Sequence, residues 1–286
     1  MTKKITIIFI SVIVFIISFQ GCKYSDSDLT DFSRHGTFSF SGDSLSVQYF
    51  GADDYVQISV PEYIEQCFQA EAQETESFGV FVHPRITAFV SGGKFDDSYD
   101  AAEIYCTTNE GKSWFRSILP SVREAQDVGG GNIFSSVSIG FTSSLDGWII
   151  GSRHYGMGNQ ENFIYLSHDG GKTWEETNNI NDQYARVLRF GLFTSESIGF
   201  MCFRFEFEEN PFPIYRTADG GTTWSLALMP EIIQPENSYY EFSALQFHDS
   251  IYELTLSNHE YAEDILTLTS SDFGVTWNNL KQKRNR

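Results

Sequence analysis

Carboxylates dominate the segments of this chain where side chains could act on a ligand. Asp96, Asp97, Asp100 and Glu103 fall in GGKFDDSYDAAE, and Glu206, Glu208 and Glu209 in EFEENPFP. Glu260, Glu263 and Asp264 fall in NHEYAED, beside Tyr261. A fourth segment, SRHYGMGNQEN, gathers Arg153, His154 and Tyr155. Carboxylates next to aromatic rings suit the surface of a cationic protein, since the rings supply contact area and the charges supply steering. No CxxC or Cys/His ligand spacing occurs, so neither a metal nor a cofactor is expected. Gly129-Gly130-Gly131 has no helix pattern after it and reads as a flexible joint rather than a phosphate loop.

The overall charge bears on the choice. Against 19 basic side chains stand 38 acidic ones, a formal net of −19 over 286 residues. Nucleic-acid binding needs clustered Lys and Arg and is not expected. Adhesion to anionic lipid is disfavoured for the same reason. A cationic partner is favoured.

The elements that must position these segments are announced by an internal repeat. Residues 107–114 read TTNEGKSW, 167–174 SHDGGKTW, 217–224 TADGGTTW and 270–277 SSDFGVTW. The shared frame is Ser/Thr-x-Asp-x-Gly-x-Thr-Trp, and successive tryptophans lie 60, 50 and 53 residues apart. Each position has a folding task. Asp169, Asp219 and Asp272, with Asn109 in the first copy, can cap a turn by accepting backbone N–H bonds. Gly111, Gly171, Gly221 and Gly274 supply a positive φ. Thr173, Thr223 and Thr276 restart a strand, while Trp114, Trp174, Trp224 and Trp277 bury apolar area between units. An apolar run precedes each copy: 104–106, 164–166, 214–216 and 266–268. Further short β-rich pairs lie upstream, at 137–141 with 147–151, 188–193 with 198–205, and 244–247 with 251–256. Units of about 50 residues with four short strands fit propeller blades. Strands at 37–40, 45–50 and 55–60 would build a first unit, and a helix is expected only at 61–72. The predicted fold is an all-β propeller of five four-stranded blades, or six with one degenerate unit, over residues 33–286.

The repeat is similar to the Asp-box, or bacterial neuraminidase repeat, of sialidases, sortilin-type receptors and photosystem II assembly factors. That resemblance implies a hairpin between the third and fourth strands of each blade, with the binding face at the opposite end. It also implies what an active sialidase would need: three arginines clamping a substrate carboxylate, for which Arg153, Arg189 and Arg204 are the candidates although the field is adverse; a Tyr/Glu pair, for which neither Glu206, Glu241 nor any tyrosine stands out; and an acid/base Asp, with an Arg-Ile-Pro motif before the boxed blades. Pro84-Arg85-Ile86-Thr87 is the nearest match and lacks the final proline. GWIIG at 147–151 followed by DGGKTW at 169–174 resembles the assembly-factor pattern.

The first residues read as a targeting segment. Lys3 and Lys4 precede an apolar core from Ile5 to Phe19, and Gly21-Cys22 follows. This resembles a bacterial lipoprotein leader over 1–21, with Cys22 carrying lipid and 22–32 as a polar tether. Loss of Lys3 and Lys4 would leave 17 basic and 38 acidic groups, a net of −21. Cys67, Cys106 and Cys202 would remain, enough for one disulfide. Leader, length, acidity and boxes together look like the lipase-immunity lipoproteins of type VI secretion systems. The expectation is a non-catalytic protein-binding lipoprotein of the bacterial envelope, on the periplasmic face of the outer membrane. An assembly factor and a sialidase-like hydrolase are the alternatives.

Overall fold

The structure, a computed structural model, describes residues 36–41, 44–62, 78–91, 102–120, 134, 136–156, 159–177, 187–203, 214–227, 240–248, 251–258 and 265–283. Five antiparallel sheets follow one another along the chain, each with its strands in sequence order. Together they form a five-bladed β-propeller. Blade one contains β1 (Thr37–Ser41), β2 (Ser44–Gln48) and β3 (Val56–Ser59). Blade two contains β4 (Phe78–His83), β5 (Ile86–Ser91), β6 (Glu103–Thr107) and β7 (Phe115–Ile118). Blade three contains β8 (Ser136–Phe141), β9 (Gly147–Gly156), β10 (Asn159–Ser167) and β11 (Glu175–Glu176). Blade four contains β12 (Leu188–Phe193), β13 (Gly199–Phe203), β14 (Ile214–Thr217) and β15 (Ser225–Leu226). Blade five contains β16 (Tyr240–His248), β17 (Ile251–Asn258), β18 (Ile265–Ser270) and β19 (Asn278–Lys283).

Stacked blades explain why the inner strands are apolar throughout instead of alternating. A strand points successive side chains to opposite faces, and in a stack both faces meet a neighbour. Within β13, Phe200 and Cys202 enter the core shared with blade five, while Met201 and Phe203 enter the core shared with blade three. Ile149 and Ile150 divide in the same way between blades two and four. Ala88 and Val90 pack toward blade three, whereas Phe89 packs toward blade one. The described cores therefore join blades one to two, two to three, three to four and four to five.

Two elements differ from the sequence reading. The strand expected at 147–151 continues to Gly156, so Arg153, His154 and Tyr155 extend β9 rather than form a loop. Their partners on β10 include Glu161 opposite Arg153 and Gln160 opposite His154. The polar run is tolerated because Ser152 and Asn162, both buried, satisfy each other through a 2.9 Å hydrogen bond. The hairpin of β4 and β5 was not expected; its turn is Pro84-Arg85, the pair that resembled an arginine motif. The helix expected at 61–72 lies outside the described residues beyond Glu62.

Candidate functional site

Each repeat joins the third strand of its blade to the fourth, and one hydrogen-bond scheme recurs in all four. The opening Ser or Thr is buried, and its hydroxyl accepts the amide of the frame glycine. The distances are 2.9 Å for Thr107 and Gly111, 2.9 Å for Ser167 and Gly171, 2.9 Å for Thr217 and Gly221, and 2.8 Å for Ser270 and Gly274. That hydroxyl then donates to the Asp or Asn side chain two residues on, at 2.7–3.0 Å. In the three Asp copies, one carboxylate oxygen accepts the amide of the closing Thr and the other accepts its hydroxyl. The frame glycines hold φ between 78° and 87°. The residue before each is also left-handed, including Glu110 and Phe273. The BNR/Asp-box repeat family matches residues 165–176, the third-blade copy.

The repeats are Asp-boxes. The family match covers one box, and the other three are recognised by the same bonds. No curated protein matches the chain. Among solved structures, a Hadza microbial sialidase is similar over 84% of this chain and 54% of its own, at 14% identity and a TM-score of 0.47. A family-74 xyloglucanase from Xanthomonas campestris is similar over 83% of this chain and 34% of its own, at 12% identity and 0.43. A family-43 enzyme from Xanthomonas citri is similar over 71% and 73%, at 10% identity and 0.41. The chain thus spans about half the length of the sialidase and a third of the xyloglucanase.

The boxes also tie each blade to the one before it. Trp114, Trp174, Trp224 and Trp277 each join the core shared with the preceding blade. Trp114 Nε1 donates to Ser59 O at 2.9 Å, and Trp174 Nε1 to Ser117 Oγ at 3.2 Å. Ser117 Oγ in turn donates to Gly171 O at 2.7 Å. Arg216 Nε of blade four donates to Phe273 O in the blade-five box.

The box carboxylates are held below their ordinary range. For Asp272 the Thr276 hydroxyl contributes most, then the Thr276 amide and Ser270, and the pKa falls to about 2. Asp219 is lowered foremost by Thr223. At Asp169 desolvation pushes upward, but bonds from Thr173, Ser167 and Lys172 outweigh it. A carboxylate whose folded pKa lies below its unfolded value, about 4, stabilises the fold above that pH and ceases to as pH falls through the folded value. Asn109 shows that an amide still caps the turn, since its Oδ1 accepts Ser113 N at 2.9 Å. The variant with Asp169, Asp219 and Asp272 all changed to Asn is therefore expected to fold. Its melting temperature should lie below that of the parent at pH 7, and the gap should close between pH 4 and pH 2. Thermal melts over that pH range check this.

With the boxes at one end of each blade, the loops joining strands two and three leave at the other. They connect β5 to β6, β9 to β10, β13 to β14 and β17 to β18. Asp96, Asp97, Asp100, Glu206, Glu208, Glu209, Glu260, Glu263 and Asp264 belong to these connections and lie outside the described residues. Glu103 begins β6, where its carboxylate meets the Tyr105 hydroxyl and the Arg116 guanidinium. Among the described residues Cys106 and Cys202 are buried and form no disulfide, and Cys67 lies outside them. Burial pushes both thiols up, Cys202 to about 12, and keeps them from acting as nucleophiles.

Two features escaped the sequence reading. One is the task of the opening Ser or Thr in each box. The other is a second repeat, FTSSLDGW at 141–148 and FTSESIGF at 193–200, which turns strand one into strand two. In it Thr142 N donates to Asp146 O at 2.8 Å and Thr194 N to Ile198 O at 2.9 Å. These turns share the box end, because Gly170 N donates to Leu145 O and Gly220 N to Ser197 O.

Proposed function

We propose that the protein is a non-catalytic, lipid-anchored binding propeller that captures a cationic protein through the loops joining strands two and three. The observation that supports this most is topological. The meander of blades two to five sends four connections to one end, and three of the four are rich in carboxylates. The Asp-box carboxylates are occupied with folding, which favours the opposite end for a protein partner. A rigid acidic surface raises the encounter rate with a basic partner and fixes its register. Cys22 would hold the propeller by its tether at the periplasmic face of the outer membrane, where a partner-blocking role of the immunity type fits best.

A sialidase-like reaction is the second reading; of its candidate arginines, Arg189 opens β12 at the end opposite the boxes, and Arg204 lies outside the described residues. Arg85 closes the β4–β5 turn at the box end. Arg153 lies six residues into β9 from that end, about 20 Å along the strand. Arg85 therefore does not join Arg153 in one clamp. The test is capture of a basic protein from the cell envelope by the full chain. A companion variant changes Glu206, Glu208, Glu209, Glu260 and Glu263 to Gln and Asp264 to Asn. The expected result is a basic protein retained by the parent, released by salt and lost in the variant. Turnover of a fluorogenic sialoside that falls with Arg153→Ala would replace this reading with the enzyme.

A further inference from the structure

We propose a zinc-class metal site at the box end, formed by His168, Asp146 and Glu196 and bridging blades three and four. Asp146 comes from the β8–β9 turn, His168 from the blade-three box, and Glu196 from the β12–β13 turn. His168 Nδ1 lies 3.0 Å from Asp146 Oδ1 and 4.0 Å from Glu196 Oε1, and the three ligand atoms fall within 4.8 Å of one another. Zinc binds imidazole nitrogen and carboxylate oxygen at about 2.0–2.2 Å, which places two donors on one ion about 3–4 Å apart. The Glu196 side chain, 71% exposed, has to close in, and the ion would replace the proton that His168 Nδ1 and Asp146 Oδ1 share in their hydrogen bond.

The donor set selects the kind of metal. An imidazole nitrogen with two carboxylates suits zinc and its neighbours, whereas calcium and magnesium favour an all-oxygen shell. Asp146 is already oriented from outside the ligand set. Its Oδ2 accepts the Ser143 hydroxyl at 2.5 Å, which leaves Oδ1 toward the imidazole. Such support of a ligand's second atom is common around bound metals. His168 and Glu196 are exposed, so an ion can enter without displacing the core. With three protein ligands, a fourth position stays open to water. Since the ligands come from two blades, the ion would fasten one blade to the next at the end remote from the acidic loops.

Titration of the full chain, purified in detergent in metal-free buffer, with zinc chloride tests this by calorimetry and by melting temperature. The expected result is saturable binding of one ion per chain with a rise in melting temperature, and no comparable response to calcium chloride. His168→Ala and Glu196→Ala should each weaken binding at least tenfold while the metal-free melting temperature stays near that of the parent. No saturable binding up to millimolar zinc, or a loss of less than tenfold in both variants, overturns the proposal. This outcome is independent of partner capture, because the two sites lie at opposite ends of the blades.

Discussion

Alanine in place of Gly274 is expected to destabilise the fold by about 3–4 kcal/mol, whereas alanine in place of Gly221 should cost only about 1 kcal/mol. Both glycines stand at the same box position with left-handed backbone, φ 79° and 87°. The backbone penalty is shared, so the difference comes from what a methyl group would meet. At Gly274 a Cβ would lie 2.3 Å from Phe200 Cε1 and 2.5 Å from Cζ. Phe200 is fully buried between blades four and five, against Tyr252 and Trp277, and has nowhere to move. At Gly221 the nearest atom, Phe193 Cζ, is 3.4 Å away, a contact that a ring can accommodate. Denaturant titration of the two variants side by side gives the comparison, and equal losses would mean that the blade-five box does not press on blade four.

Trp174→Ala should be the second large loss, about 3–5 kcal/mol, which for a domain of this size lowers the melting temperature on the order of 10 °C. The ring is 4% exposed and lies in the core between blades two and three. It meets Phe141 edge-on at 6.2 Å, and its Nε1 donates to both Gly171 O and Ser117 Oγ. Removing it leaves a cavity at the inter-blade seam. Trp114 occupies the same box position but is only partly buried, so Trp114→Ala should cost less. A ranking with Trp114 above Trp174 in calorimetric melts would place the main seam elsewhere.

The parts of this fold that were legible in the sequence are those whose chemistry is local. An Asp-box closes its bonds within five residues, so its residue types appear side by side and repeat. The β4–β5 hairpin was hidden because FGVFVH and ITAFVS are buried on both faces and carry no alternation to mark them as strands. The outer half of β9 was hidden for a different reason. Ser152 and Asn162 look like loop residues until the hairpin register pairs them in the interior. Asp146, His168 and Glu196 lie 22 and 28 residues apart and share no motif, so only the stacking of two blades reveals them as neighbours. The acidic loops were legible as composition alone, because nothing in the residues of a strand-to-strand connection specifies its path.

The four boxes, although they are turns at the molecular surface, should be as firmly held as the strands they join. Native-state hydrogen exchange at the amides of Gly111, Gly171, Gly221 and Gly274 measures this directly. Each amide donates to a buried hydroxyl at 2.8–2.9 Å. The four should therefore exchange only through global unfolding, with one common opening free energy that matches the inner strands. Rapid and mutually different exchange at these glycines, while the strands stay protected, would show that the boxes open on their own and do not fasten the blades.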